Sequence, residues 1–137
     1  MSEEKKEQET RYRVFVYGTL KRGGRLHGCM DMEGPKGGTT RFIDEYTLGD
    51  VEMYNLGWYP GIKQRAGGKV HGELYSVTED VLKRLDRVEG APFLYSRKVF
   101  NVPYKGVKMD IHTYVFNGEV NPKNLIVDGV WRPDHAR

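Results

Sequence analysis

One cysteine, six prolines and no long apolar run set the first limits on this 137-residue chain. Cys29 cannot close an internal disulfide by itself, which fits a reducing compartment. No apolar stretch approaches the roughly 18 residues that cross a bilayer, and no charged-then-apolar segment opens the chain. A helical membrane span is thereby excluded, no membrane partner is expected, and the cytoplasm is the expected location. A stripe of Lys and Arg interleaved with aromatics, the usual footprint of a nucleic-acid binder, is also missing. The basic residues fall instead in separate pairs, Lys21-Arg22, Lys83-Arg84 and Arg97-Lys98, and no nucleic-acid partner is expected. Phosphate-loop and dinucleotide-binding fingerprints are absent, as are internal repeats.

A hydrophobic content of 38% over 137 residues is enough for one ordinary core. The first ten residues carry four Glu and two Lys with no large apolar residue after Met1, so residues 1–11 are read as a disordered tail and residues 12–137 as a single domain. Beyond those ten residues, 20 basic side chains stand against 15 acidic ones, a surplus of five that suits solubility or an acidic small molecule.

Arg13 to Tyr17 reads as a strand from its β-branched and aromatic residues. A glycine-rich connection follows from Lys21 to Gly38, with a short helical turn around His27 to Met32. Thr39 to Tyr54 alternates roughly, with a break near Gly49-Asp50, and fits two strands or one bent strand. Trp58-Tyr59-Pro60-Gly61-Ile62 reads as an aromatic loop, either stacking a ligand or covering the core. Lys69 to Val77 has the period of a half-buried strand. Thr78 is a natural N-cap, Val81, Leu82, Leu85 and Val88 make one apolar stripe, and Gly90 supplies the stop. Leu94 to Val102 and Met109 to Phe116 form a hairpin across Pro103 to Val107. Near the end, Leu125, Ile126, Val127 and Trp131 are expected to pack back onto the sheet. Five or six strands with one main helix predict an α+β domain whose mixed sheet curls into a small β-barrel.

Two places carry chemistry. The strand Val14-Phe15-Val16-Tyr17 ends in Gly18-Thr19-Leu20-Lys21, where Gly18 would permit a backbone conformation that strains other residues and leave N–H groups free for an anionic or polarised oxygen. Alone, such a run is better explained by a plain turn. Glu89 stands in the last turn of the helix, at the negative end of its dipole. Shielding by Phe93, Tyr95 or the Trp58-Tyr59 loop would raise its pKa further and suit it to accept and return a proton, whereas a solvated Glu on a frayed end would do nothing.

Taken together, Tyr17-Gly18-Thr19-Leu20-Lys21-Arg22-Gly23, Gly72-Glu73-Leu74-Tyr75, Leu85-Asp86-Arg87-Val88-Glu89-Gly90 and Leu94-Tyr95-Ser96-Arg97 resemble the γ-glutamylcyclotransferase-like superfamily. The likeness is greatest to its γ-glutamylamine cyclotransferase and avirulence-induced-gene-like branch, and it covers residues 13–116 in order and spacing. The resemblance implies a small mixed barrel with a cavity at one mouth. It implies a binding loop at Tyr17, Gly18, Thr19 and Leu20, Glu89 as acid/base, and Tyr95 and Tyr59 as supporting candidates. The implied reaction is intramolecular attack of an α-amine on a γ-carbonyl, releasing 5-oxoproline and a free amine from a γ-glutamyl amine or amino acid, with neither metal nor organic cofactor. The alternative is a non-catalytic small-molecule binding protein that retains the cavity. His71 and Glu73 share a strand face but are too few for a metal site, and His27 and Cys29 have no partner at ligand spacing.

Overall fold

The computed structural model describes residues 10–24, 26–30 and 40–132. Strand β1, Arg11–Val16, begins on the last residue assigned to the tail, where the Arg11 guanidinium donates to Ser76 Oγ at 2.7 Å and to its carbonyl at 2.8 Å. Strands β2 (Thr40–Asn55) and β3 (Pro60–Thr78) form one long hairpin. Helix α1 spans Glu79–Val88, strands β4 (Tyr95–Tyr104) and β5 (Val107–Phe116) form a second hairpin, and β6 is the pair Leu125–Ile126. A 3-10 helix at His27–Met30 answers to the expected turn around His27 to Met32; Asp31, Met32 and the rest of that connection up to Thr39 lie outside the described residues.

The six strands form a single mixed sheet in the order β4-β5-β1-β3-β2-β6. Every pairing is antiparallel except β1 with β5, which run parallel with one register pair, Val14 to His112. Two side-chain bonds reinforce that short junction: Thr113 Oγ1 donates to the Phe15 carbonyl at 2.9 Å, and the Tyr17 hydroxyl donates to the Tyr114 carbonyl at 2.7 Å.

Curvature originates in β2 and β3. Register slips between Phe42 and Asp44 and between Gly49 and Val51, and at the second slip Asp50 takes a left-handed φ of 62°. Bulges of this kind bend a strand and increase its twist, and the sheet accordingly curls into a half-barrel. The alternation broken at Gly49-Asp50 therefore marks one bent strand.

The two faces of the sheet carry two cores. Phe15 and Tyr17 point into the concave side with Leu48, Met53, Ile62, Leu74 and Trp131. Val14 and Val16 point the other way, onto Tyr75, Val77, Val81, Leu82 and Leu85 beneath α1. Each strand residue alternates faces, and both faces are covered, so Val14, Phe15 and Val16 are all fully buried. The same double cover ends the simple alternation expected of β3, where Leu74 and Tyr75 are both fully buried on opposite sides.

Helix α1 begins where the sequence places it, with Thr78 extended at the N-cap, although the Thr78 side chain makes no capping hydrogen bond. It ends in a Schellman arrangement: Ala91 N donates to Asp86 O at 2.9 Å, Gly90 N donates to Arg87 O at 3.1 Å, and Gly90 has φ +67°. The β4–β5 turn places Lys105 and Gly106 at φ 50° and 86°, the pair of positive values that a two-residue hairpin favours. Trp131 is buried and Leu125-Ile126 pairs with β2, but Val127 is 88% exposed, contrary to expectation, because β6 stops one residue earlier.

Candidate active site

A cavity of about 80 Å³ lies where β1 ends. Tyr17, Gly18, Thr19 and Leu20 form one wall, Glu89 stands on another, and Tyr59 and Tyr95 line the space as well. All seven residues singled out in the sequence thus meet around one hollow.

The turn after β1 is tightly specified by its carbonyl groups. Lys21 N donates to Gly18 O at 3.0 Å, Leu26 N to Thr19 O at 2.9 Å and Gly24 N to Lys21 O at 2.8 Å, while His27 Nδ1 donates to Leu20 O at 2.8 Å. The N–H groups of Gly18, Thr19 and Leu20 donate in none of these loop bonds. Among the described residues their carbonyls are engaged and their amides are not, and the turn lines the cavity. Gly18 is required for a reason other than the one expected. It does not adopt a positive φ; instead a Cβ there would lie 2.5 Å from Pro60 Cγ, so the strand end passes directly against the proline ring.

Glu89 is the C-cap of α1, and its N–H donates to Leu85 O at 2.9 Å. Burial raises its carboxyl from the ordinary 4.5 to about 7, and no described residue donates a hydrogen bond to it. Nearby tyrosines are committed elsewhere: Tyr17 donates to Tyr114 O, Tyr95 to Pro60 O, and Tyr114 to Asp86 Oδ1 at 2.7 Å. Desolvation is the main cause that pushes the phenols of Tyr17, Tyr95 and Tyr114 upward, and the Glu89 charge adds to it. These hydroxyls remain protonated at neutral pH, and the Glu89 carboxyl is the group on the wall that changes charge there.

The roof of the cavity follows the helix stop. Asn117 Nδ2 donates to Pro92 O and Phe93 O at 2.8 Å each, and Asn117 N donates to Leu94 O at 3.0 Å, holding Leu94 against the opening. Phe93 is 87% exposed and does not shield Glu89. Trp58 is likewise turned outward, leaving Tyr59, 6.5 Å from the Tyr95 ring, as the aromatic loop's contribution. Pro60 and Tyr114 also line the cavity. In the sequence Pro60 stands out only as part of the aromatic loop, and only strand parity could have pointed to Tyr114. Among the described residues no group of three or more His, Cys, Asp or Glu is arranged to hold a metal ion; His71 bonds to Thr47, and Glu73 is engaged with Arg22.

Known proteins share this fold. The solved structure of an AIG2-like protein from Mus musculus matches with a TM-score of 0.74 at 27% identity, covering 93% of this chain and 94% of that one. It places the half-barrel and helix α1 in an established fold. A family model described as gamma-glutamyl cyclotransferase, AIG2-like, matches residues 14–133, and the chain belongs to that family. A gamma-glutamylcyclotransferase family protein, YtfP, of Citrobacter rodentium is 31% identical over 120 residues, covering 87% of this chain and 94% of its own. A gamma-glutamylaminecyclotransferase of Bos taurus is 32% identical over 118 residues, covering 82% of this chain and 69% of its own.

Proposed function

We propose that this chain is a γ-glutamyl cyclotransferase acting in the cytoplasm on γ-glutamyl amines or γ-glutamyl amino acids. The observation that carries the reading is the buried Glu89 carboxyl, poised at about 7, in one cavity with the amide-lined turn Gly18 to Leu20. Glu89 takes a proton from the substrate's α-ammonium, freeing the nitrogen lone pair to attack the γ-carbonyl. A bond forms between that nitrogen and the γ-carbon, and the carbonyl oxygen becomes an oxyanion facing the loop amides. Collapse breaks the bond to the leaving nitrogen, which receives the proton from Glu89; the regenerated carboxylate then takes the second proton from the attacking nitrogen and passes it to the departing amine, so that 5-oxoproline and an ammonium depart. Nucleophile and electrophile belong to one molecule, so the principal task of the site is to fold the substrate into contact.

The test is release of 5-oxoproline from a panel of γ-glutamyl compounds. Wild type is expected to show kcat/KM rising through pH about 7 as Glu89 ionises. Glu89→Gln is expected to lower kcat by about 100-fold or more while ligand affinity stays within a few fold. Product formed by Glu89→Gln at the wild-type rate would remove Glu89 from the mechanism. Binding without product from wild type would make this a small-molecule binding protein that keeps the cavity.

A further inference from the structure

The segment Gly72-Glu73-Leu74-Tyr75 in the middle of β3 touches the binding turn from beneath, at points outside the chemistry described above. Glu73 is the centre of the contact. Its Oε1 accepts from the Arg22 backbone N–H at 3.0 Å and from the Tyr75 hydroxyl at 2.9 Å, and its Oε2 lies 3.5 Å from Arg22 Nε. The Glu73 side chain is 13% exposed against 53% for Arg22, so the carboxylate is largely shielded while its contact with Arg22 lies at the surface. Arg22 is held from its other side by the Phe42 ring, 4.3 Å from the guanidinium carbon.

Neighbouring residues extend the cradle. The Tyr75 ring lies 6.1 Å from that of His27, whose Nδ1 holds the Leu20 carbonyl. Gly72 lets β1 approach, since a Cβ there would stand 2.3 Å from the Val16 carbonyl oxygen. The turn is therefore secured at both ends: Val16 on its entry side, and Leu20 and Arg22 on its exit side.

We propose that Glu73 is a positioning residue that clamps the turn after β1, so that the amides of Gly18, Thr19 and Leu20 stay directed at the cavity. Its kinetic consequence rests on the cyclotransferase reading; its structural consequence does not. The arrangement requires an acceptor oxygen at Glu73 more than a charge, which separates two variants. Glu73→Ala removes the acceptor, whereas Glu73→Gln keeps one oxygen for the Arg22 N–H and the Tyr75 hydroxyl.

Amide hydrogen exchange on the full chain is the deciding experiment. Lys21 N–H and Leu26 N–H bond within the turn and do not touch Glu73. In Glu73→Ala both are expected to exchange about tenfold faster or more, with β1 amides at wild-type rates, and Glu73→Gln is expected to restore most of the protection. In the cyclisation assay Glu73→Ala should raise KM about tenfold while the pH midpoint of kcat/KM stays where Glu89 sets it. Wild-type exchange at Lys21 and Leu26 in Glu73→Ala would overturn the clamp, and so would equal acceleration throughout β1, which marks general destabilisation. Absence of 5-oxoproline from the unmodified protein would instead remove the cyclotransferase reading and leave the exchange data to decide the clamp.

Discussion

Burial holds the Glu89 carboxyl up near 7 against an ordinary 4.5, and that displacement has a thermodynamic signature separate from catalysis. Between those values the folded protein keeps a proton that the unfolded chain has released. Stability is then complete below about 4.5, declines as pH rises, and levels off above about 7. Glu89→Gln stays neutral throughout and escapes the decline. Urea unfolding at pH 8 should find this variant more stable than wild type by up to about 3 kcal/mol, with the difference vanishing near pH 4. A catalytically dead variant that gains stability only at alkaline pH would tie both effects to one carboxyl. Equal stability of the two proteins at pH 8 would mean that water reaches Glu89 freely.

At the scale of elements, helix α1 delivers Glu89, and its ends are written in local chemistry. Thr78 and Gly90 could be read as cap and stop because capping depends on residues within one turn, and the structure ends the helix where that reading puts it. The hairpin across Pro103 to Val107 was legible for the same reason, although the strands run on to Tyr104 and resume at Val107, which confines the reversal to Lys105 and Gly106. Strand β2 was legible only as two strands or one bent strand, and residues 60–68 of β3 lay outside the strand read at Lys69 to Val77, because the register shifts at Ile43 and Asp50 interrupt alternation while pairing resumes beyond them. Gly90→Ala is expected to cost about 1–2 kcal/mol in thermal or urea unfolding, since φ +67° strains any side chain and the new Cβ would meet Leu94 Cβ at 3.3 Å. Leu94 lines the cavity, so the same variant should also weaken ligand binding.

The whole molecule is held by β1, which joins the β2–β3 hairpin to the β4–β5 hairpin. Only one register pair links β1 to β5, so the Thr113 hydroxyl bond to Phe15 O carries weight out of proportion to its size. Thr113→Val should lower stability by about 1 kcal/mol, seen as a lower urea midpoint with an unchanged slope. An unchanged midpoint would show that the backbone pairing alone suffices. Residue chemistry marked the strand end and the helix end only as candidates with plain alternatives, and it was the family resemblance that joined Tyr17, Gly18, Thr19, Leu20, Glu89, Tyr59 and Tyr95 into one candidate site. Pro60 against Gly18, and Tyr114 bonded to Asp86, could not be read from the sequence, since those contacts join segments far apart along the chain.

Because β1 is packed on both faces, Val14, Phe15 and Val16 offer no side chain that could be exchanged without disturbing one core or the other. Diversification of this protein toward other small molecules would accordingly have to proceed through the segments that border the mouth of the cavity, such as Leu26, Tyr59 and Leu94. The strand supplying the turn would stay the same while the side chains around the mouth changed.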